Sequence, residues 1–268
     1  MAEGTFDRAF FQRSLRTRRL GHPLFTRAEV DSTNDLAWEL AQQGADEGAC
    51  VIADAQTRGR GRLGRAWHTA PGKGLALSVL LHPGCDPGAR GTASLVAGLA
   101  LLRALDALAC EARLKWPNDL LAGTKKLSGI LAESRRNAEG TDVVVLGVGV
   151  NVGQTEADFP PELRGVATSL ALEGRAVRRE AVAAAFLTAL EPLWDEHQEG
   201  NRDEVLVAWR KEARFWGHAV KVSTPTGTLE GIARDLDPSG GLVVETGSGE
   251  RITVFAGDLE VAWPEPTP

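Results

Sequence analysis

The chain has 268 residues, 43% of them hydrophobic, enough apolar material for one large domain or a domain with a small appendage. Charged residues make up 25% and the formal net charge is −6, which argues against a general nucleic-acid surface and draws attention to any local concentration of cations. Cys50, Cys85 and Cys110 lie far apart without CxxC spacing, so neither a disulfide framework nor a structural zinc site is expected, and they read as small buried hydrophobes.

No N-terminal apolar h-region is visible, and no run approaches the ~18 apolar residues that suggest a membrane span. The expectation is a soluble, cytoplasmic protein. Met1 to Leu20 is arginine-rich, but Glu3, Asp7 and the lack of serine enrichment weigh against a transit peptide. Thr5 to Arg19 reads as a short helix with Phe6, Phe10 and Leu15 on one side. Pro23 to Val30 reads as a strand. Asp31-Ser-Thr-Asn34 then precedes Leu36, Ala37, Leu40 and Ala41 at helical spacing, with Ser32 and Thr33 as N-cap candidates and Gly44 as a stop. Capping explains one hydroxyl, not four polar residues at a strand-to-helix turn, where ligands often bind.

Cys50 to Ala55 is a strand leading into Gln56-Thr-Arg-Gly-Arg-Gly-Arg-Leu-Gly-Arg-Ala-Trp67, and Gly74 to Leu81 is the strand that follows. Glycine permits close backbone approach, and arginine supplies planar forks matched to phosphate or carboxylate. An RGG-like nucleic-acid tail would sit in low-complexity surroundings. This loop lies between two core-quality strands and reads as a wrap around a small anionic ligand.

Pro83 to Pro87 reads as a turn and Thr92 to Ala112 as a largely buried helix. Arg113 to Ala122 is a strand that kinks at Trp116-Pro117, Ala122-Gly-Thr-Lys125 a hairpin turn, and Lys126 to Glu133 the returning strand. Thr141 to Val152 is a further strand ending in Gly147-Val-Gly-Val-Asn-Val-Gly153, whose glycines point to close backbone approach. Helices are expected over Arg179 to His197 and Arg202 to Phe215. From Gly217 the pattern changes to short β runs at Ala219–Ser223, Thr228–Leu236, Gly241–Thr246 and Arg251–Phe255, a barrel-like module that leans on the main domain. Pro264 to Pro268 reads as a frayed tail. The expected domains are 1–216 and 217–268.

The polar clusters hold hydroxyls, amides and cations but no Ser/His/Asp triad, and the five histidines form no metal-ligand pattern. Charge stabilisation at a phosphoryl centre fits better than covalent catalysis, and no Walker A sequence is present. Taken in order and spacing, Asp31-Ser-Thr-Asn34, Gln56…Gly59-Arg-Gly-Arg-Leu-Gly-Arg-Ala-Trp67, Lys115-Trp-Pro-Asn-Asp119, Lys126-Leu-Ser-Gly-Ile-Leu131 and Gly147-Val-Gly-Val-Asn151 resemble the motifs of biotin protein ligases. The resemblance covers residue 25 to the C-terminus.

The resemblance implies an α+β fold, a mainly antiparallel mixed sheet packed with helices, with an SH3-like β-barrel at the C-terminus. It implies activation of biotin by Mg·ATP to biotinyl-5′-AMP, then transfer to a lysine of a biotin carboxyl carrier domain of the acetyl-CoA carboxylase type. Lys126, Arg62 and Asp119 are the implied catalytic residues. Ser32, Thr33, Asn34, Gln56, Gly59, Arg60, Gly61, Arg62, Lys126 and Gly129 would bind biotin. Arg60, Arg62, Arg65, Trp67, Lys115, Asn118, Lys126 and Asn151 would bind ATP and the adenylate. For Asp119, positioning the acceptor lysine or Mg²⁺ stands beside an ordinary turn-capping role, and Trp116 reads as core. No protein metal centre is expected. Many bacterial members carry an N-terminal winged-helix domain of which nothing is seen here, so the resemblance is to monofunctional ligases without nucleic-acid binding. Monomer and homodimer both stay open. The nearest rival, a lipoate or octanoate ligase, has a different loop, of Arg-Arg-x-Ser-Gly-Gly-Gly form.

Overall fold

The computed structural model describes residues 5–83 and 87–263. The expected turn at 83–87 lies largely outside them, as do Cys85 and the tail 264–268. A seven-stranded sheet runs β1 (Leu24–Val30), β2 (Cys50–Gln56), β3 (Leu75–Leu81), β7 (Asp142–Val150), β6 (Lys125–Arg136), β5 (Asp119–Ala122) and β4 (Arg113–Lys115). Only β1 and β2 pair in parallel; every other neighbouring pair is antiparallel. The expected α+β fold with a mixed, mainly antiparallel sheet is what the chain adopts.

The two faces of this sheet explain where a ligand can go. In β7, Leu146, Val148 and Val150 join the large core beneath α3 (Pro87–Ala107) and α4 (Arg179–Gln198). The alternate residues point the other way, because strand side chains alternate with a period of two. Val143 and Val145 there join a smaller apolar cluster with Leu36, Ala37 and Trp38 of α2 (Thr33–Gln42). Gly147 and Gly149 continue that face beyond the helix. Half of the face is thus roofed by α2, and the other half is left open as a floor.

Several expected elements are shifted. The N-terminal helix, α1, spans only Arg8–Ser14, begun by Asp7, whose carboxylate accepts from Phe10 N at 2.9 Å. It stops at Ser14, and the bend that follows turns the backbone N–H groups of Arg18, Arg19 and Leu20 onto the buried Glu191 carboxylate at 2.7–2.9 Å. Phe11, not Phe10, enters the core with Phe6 and Leu15, and Phe10 instead lies under the Arg178 guanidinium at 4.3 Å. Helix α3 ends at Ala107, earlier than its alanine-leucine pattern suggests, with Cys110 N bonded to Leu105 O and Ala109 at φ +55°. No glycine marks that stop. The strand expected over 113–122 is a tight hairpin in which Lys115 faces Asp119 across the Trp116–Pro117 turn. Cys50 and Cys110 are buried and free, as read.

Helix α5 (Arg202–Glu212) leads to a second, five-stranded antiparallel sheet of order β11 (Arg251–Val254), β10 (Leu242–Glu245), β9 (Gly227–Leu236), β8 (Ala219–Thr224) and β12 (Asp258–Val261). The fifth strand, β12, was not anticipated. Val222, Ala233, Leu242, Val244 and Leu259 belong to the same continuous core as α3 and α4, so this sheet does lean on the main body. Trp116, fully buried, donates its indole N–H to Gly240 O at 3.0 Å across the junction, which makes it core, as expected. Among the described residues no helix is long and apolar enough to cross a membrane.

Candidate active site

A cleft of about 660 Å³ opens over the glycine floor. In the strand register Gly149 lies opposite Gly129 on one side and Ala76 on the other, and Gly147 opposite Leu131 and Ser78. A Cβ at Gly149 would come within 2.2 Å of the Trp67 indole, and one at Gly129 would meet it at 3.1 Å. The indole therefore lies directly on backbone. A Cβ at Gly147 would strike Asn34 Oδ1 at 2.3 Å. The Gly-Val-Gly-Val alternation thus clears the cleft side for Asn34 and Trp67 while its valines fill the core.

One end of the cleft is a buried network of hydroxyls and amides that ends on the Glu133 carboxylate, which it shares with Arg60. Gln56 Oε1 accepts from Thr33 N at 2.8 Å and from Thr33 Oγ1 at 3.1 Å. A backbone N–H must have an acceptor, so this fixes the amide with Nε2 on the other side, where it reaches Thr69 Oγ1 at 3.3 Å. One Nε2 hydrogen is left over. Ser78 Oγ sits 2.8 Å from Thr33 Oγ1 and 2.6 Å from Asn34 Oδ1, and Asn34 Nδ2 donates to Glu133 Oε2 at 2.7 Å. Ser32 occupies the N-cap position but makes no side-chain cap bond, contrary to the capping expectation, and lines the cleft. Its hydroxyl is thereby available to a ligand.

The other end is ionic. Arg60 makes a two-pronged pair with Asp35 at 2.6 and 2.8 Å and reaches Glu133 at 3.2 Å; the Asp35 carboxylate raises its already high pKa. Arg62 donates to Asn118 Oδ1 at 3.1 Å. Burial lowers its pKa, but an arginine keeps its charge at any ordinary pH. Arg65 pairs with Asp258 on β12, at 2.9 Å for one of its two bonds. Lys126 Nζ lies 2.8 Å from Asp119 Oδ1 and 5.9 Å from the centre of the Trp67 ring. Each of these four cations is matched by an acceptor within the protein. Asn118 Nδ2 is tied to Ile130 O at 2.7 Å, and the buried Asn151 accepts from Gln154 at 3.0 Å.

Every residue singled out in the sequence lines this cleft except Gly59. Gly59 sits behind the loop, where a Cβ would meet Trp67 O at 2.4 Å and Gln56 Nε2 at 2.9 Å. It lets the loop cross itself. The antiparallel bridge between Arg60 and Ala66 then turns the loop into a short hairpin over the floor.

Residues 27–151 match the model of the biotin/lipoate A/B protein ligase family, and residues 215–261 that of the biotin protein ligase C-terminal domain. A biotin–[acetyl-CoA-carboxylase] ligase of Mycobacterium tuberculosis is 38% identical over 261 residues, covering 92% of this chain and 94% of that protein. The chain belongs to the biotin protein ligase family. The bifunctional ligase/repressor BirA of Bacillus subtilis is 33% identical over 249 residues, 92% of this chain and 76% of its own length. A solved biotin protein ligase from Aquifex aeolicus, in complex with biotin and ATP, superposes with a TM-score of 0.73 at 28% identity, covering 90% of this chain and 98% of that one.

Sequence reading missed several residues of this biotin protein ligase cleft. Asp35 and Glu133, which hold Arg60 from behind the cleft lining, follow two of the motifs within two residues and were within reach. Ser78 lies in an apolar strand, where a lone buried hydroxyl was the available signal. Asp258, Leu259, Glu260 and Ser223 come from the C-terminal sheet and line the cleft with no local sign of doing so.

Proposed function

We propose that the chain activates biotin with ATP to biotinyl-5′-AMP and passes the biotinyl group to a lysine of a biotin carboxyl carrier domain of the acetyl-CoA carboxylase type. The observation that carries the reading is the division of one cleft into a neutral hydrogen-bonding end and a cationic end, on a floor stripped of side chains. A ureido ring needs donors and acceptors held out of water, which Ser32, Thr33 and the spare Nε2 hydrogen of Gln56 can supply. An acyl phosphate needs fixed positive charge, which suits Arg60, Arg62, Arg65 and Lys126.

In the first step a carboxylate oxygen of biotin attacks the α-phosphorus, and the bond to the bridging oxygen of pyrophosphate breaks. Negative charge grows on the phosphoryl oxygens and the leaving group. Lys126, 2.8 Å from Asp119, would exchange that partner for the reacting oxygens, with Arg62 beside it. In the second step the neutral amine of the acceptor lysine attacks the acyl carbon, AMP leaves and the amine proton is lost. Asp119, then free of Lys126, would orient that amine. Trp67 offers a flat face to adenine, with Lys115, Asn118 and Asn151 around it. Gly59, Gly61 and Gly129 would act through the backbone space they leave, and Asn34 by fixing the helix start.

Magnesium would enter bound to the triphosphate, as is usual for this ion at nucleotide sites. The domain boundary is proposed at 216/217 and the compartment as the cytoplasm. The test is incubation with biotin, Mg·ATP and a carrier domain. One biotinyl amide on the acceptor lysine per AMP released is expected. Lipoyl transfer in preference to biotinyl, or no transfer, would overturn the reading.

A further inference from the structure

The tip of the arginine loop, residues 61–65, is shaped by its own backbone bonds, Gly61 N to Arg65 O at 2.7 Å and Arg65 N to Arg62 O at 3.2 Å. Those bonds tie it to nothing beyond itself. Leu63 and Gly64 both adopt positive φ, and Leu63 is 56% exposed. Two side chains join this tip to separate walls of the cleft. Arg62 reaches Asn118 in the β4–β5 hairpin of the main sheet, and Arg65 reaches Asp258 in the C-terminal sheet.

Asp258 is a firm anchor. It opens β12 in register with Ser223 of β8, and its neighbour Leu259 is fully buried. The preceding Gly257 is packed so closely that a Cβ there would meet Val222 Cγ1 at 2.8 Å and Ser223 O at 2.9 Å. A carboxylate on a fixed strand end meets a planar fork with both of its oxygens, the geometry in which arginine gains directionality as well as charge.

We propose that Asp258 is a positioning residue, through which the C-terminal sheet holds Arg65, and with it the free end of the arginine loop, across the mouth of the cleft. The proposal rests on the ligase reading, in which this loop covers the acyl-adenylate. An exposed ion pair adds little to global stability. Apart from the Arg62–Asn118 bond, a short glycine-rich tip has little else to oppose its opening, so the same small bias shifts how often it opens. Each opening admits water to the adenylate or lets it escape, and both release AMP without a biotinyl amide.

The test compares wild type, Asp258→Asn, which keeps shape and removes charge, and Asp258→Glu, which keeps charge. For Asp258→Asn, AMP released per biotinyl amide and the KM for ATP should each rise about two- to fivefold, the range an exposed ion pair supports. The KM for biotin should not move, and Asp258→Glu should recover part of the loss. Trypsin cleavage after Arg62 or Arg65 in the ligand-free protein should accelerate in Asp258→Asn by a similar factor. Unchanged coupling and unchanged cleavage in folded Asp258→Asn would overturn the proposal. So would a lower KM for ATP, which would make Asp258 a competitor for Arg65. Equal losses toward biotin and ATP with a lowered Tm would reduce the residue to a fold support, again contradicting it. If wild type forms no AMP with biotin, the ligase reading fails, and the protease comparison alone decides the clamp.

Discussion

The two ends of the cleft are built on different physical terms. At the neutral end, Thr33, Asn34 and Ser78 are almost wholly buried and bonded to one another and to Gln56 within regular elements. At the ionic end, three of the cations sit on a glycine loop with exposed or half-buried side chains; Arg60 and Arg62 face partners they could exchange for a ligand, while Arg65 is held on Asp258. Buried neutral networks are costly to leave half-satisfied, so that end should be rigid and selective. Exposed charge pairs are cheap to trade and sensitive to salt, so that end should be adaptable. The difference assigns recognition to one end and charge handling to the other.

The division can be broken most severely at Lys126. Lys126→Ala should lower the adenylation rate by about 10²–10³-fold, the loss expected for one preorganised charge at a reacting centre, while biotin affinity falls far less, since Lys126 supplies only one of its contacts. Isothermal titration with biotin beside a rate assay separates the two. Gly149→Val comes next, because its Cβ would overlap the Trp67 indole at 2.2 Å. ATP affinity should fall about tenfold or more, from a displaced stacking face, with biotin binding retained; equilibrium binding of ATP checks it.

These first two effects concern residues that were legible in the sequence. The arginines and the glycines announce themselves by clustering in a loop and at a strand end, whereas Lys126 is a lone strand-end lysine marked only by the family motif around it. Of their partners, Asn118 and Asp119 were legible too, but Asp258 is near Arg65 only through the packing of a second sheet, and no local pattern encodes that. The same holds for the bend after α1, which is held by Glu191 on a distant helix. Likewise, Ser32 looks like a cap in one dimension, and only the fold leaves its hydroxyl unused.

Ser78→Ala sharpens the comparison from the neutral end. It leaves the buried Asn34 Oδ1 without its 2.6 Å partner, a cost of about 1–3 kcal/mol in stability. Thermal unfolding should show a lower Tm, and the KM for biotin should rise while that for ATP does not. The smallest effect is that of salt. Raising ionic strength from about 0.05 to 0.5 M should raise the KM for ATP a few-fold and leave biotin binding nearly unchanged, because only exposed charges are screened. Steady-state kinetics at several salt concentrations would register equal sensitivity at both ends if the division were wrong.

The most direct measurement is exchange of labelled pyrophosphate into ATP, with no acid, with biotin and with lipoate. The account predicts exchange that requires biotin, since the neutral end is built for a ureido ring and the ionic end for the acyl phosphate formed from it. Exchange driven equally by lipoate would contradict recognition at Gln56 and Thr33. Folded protein giving no exchange with either acid would contradict adenylation itself.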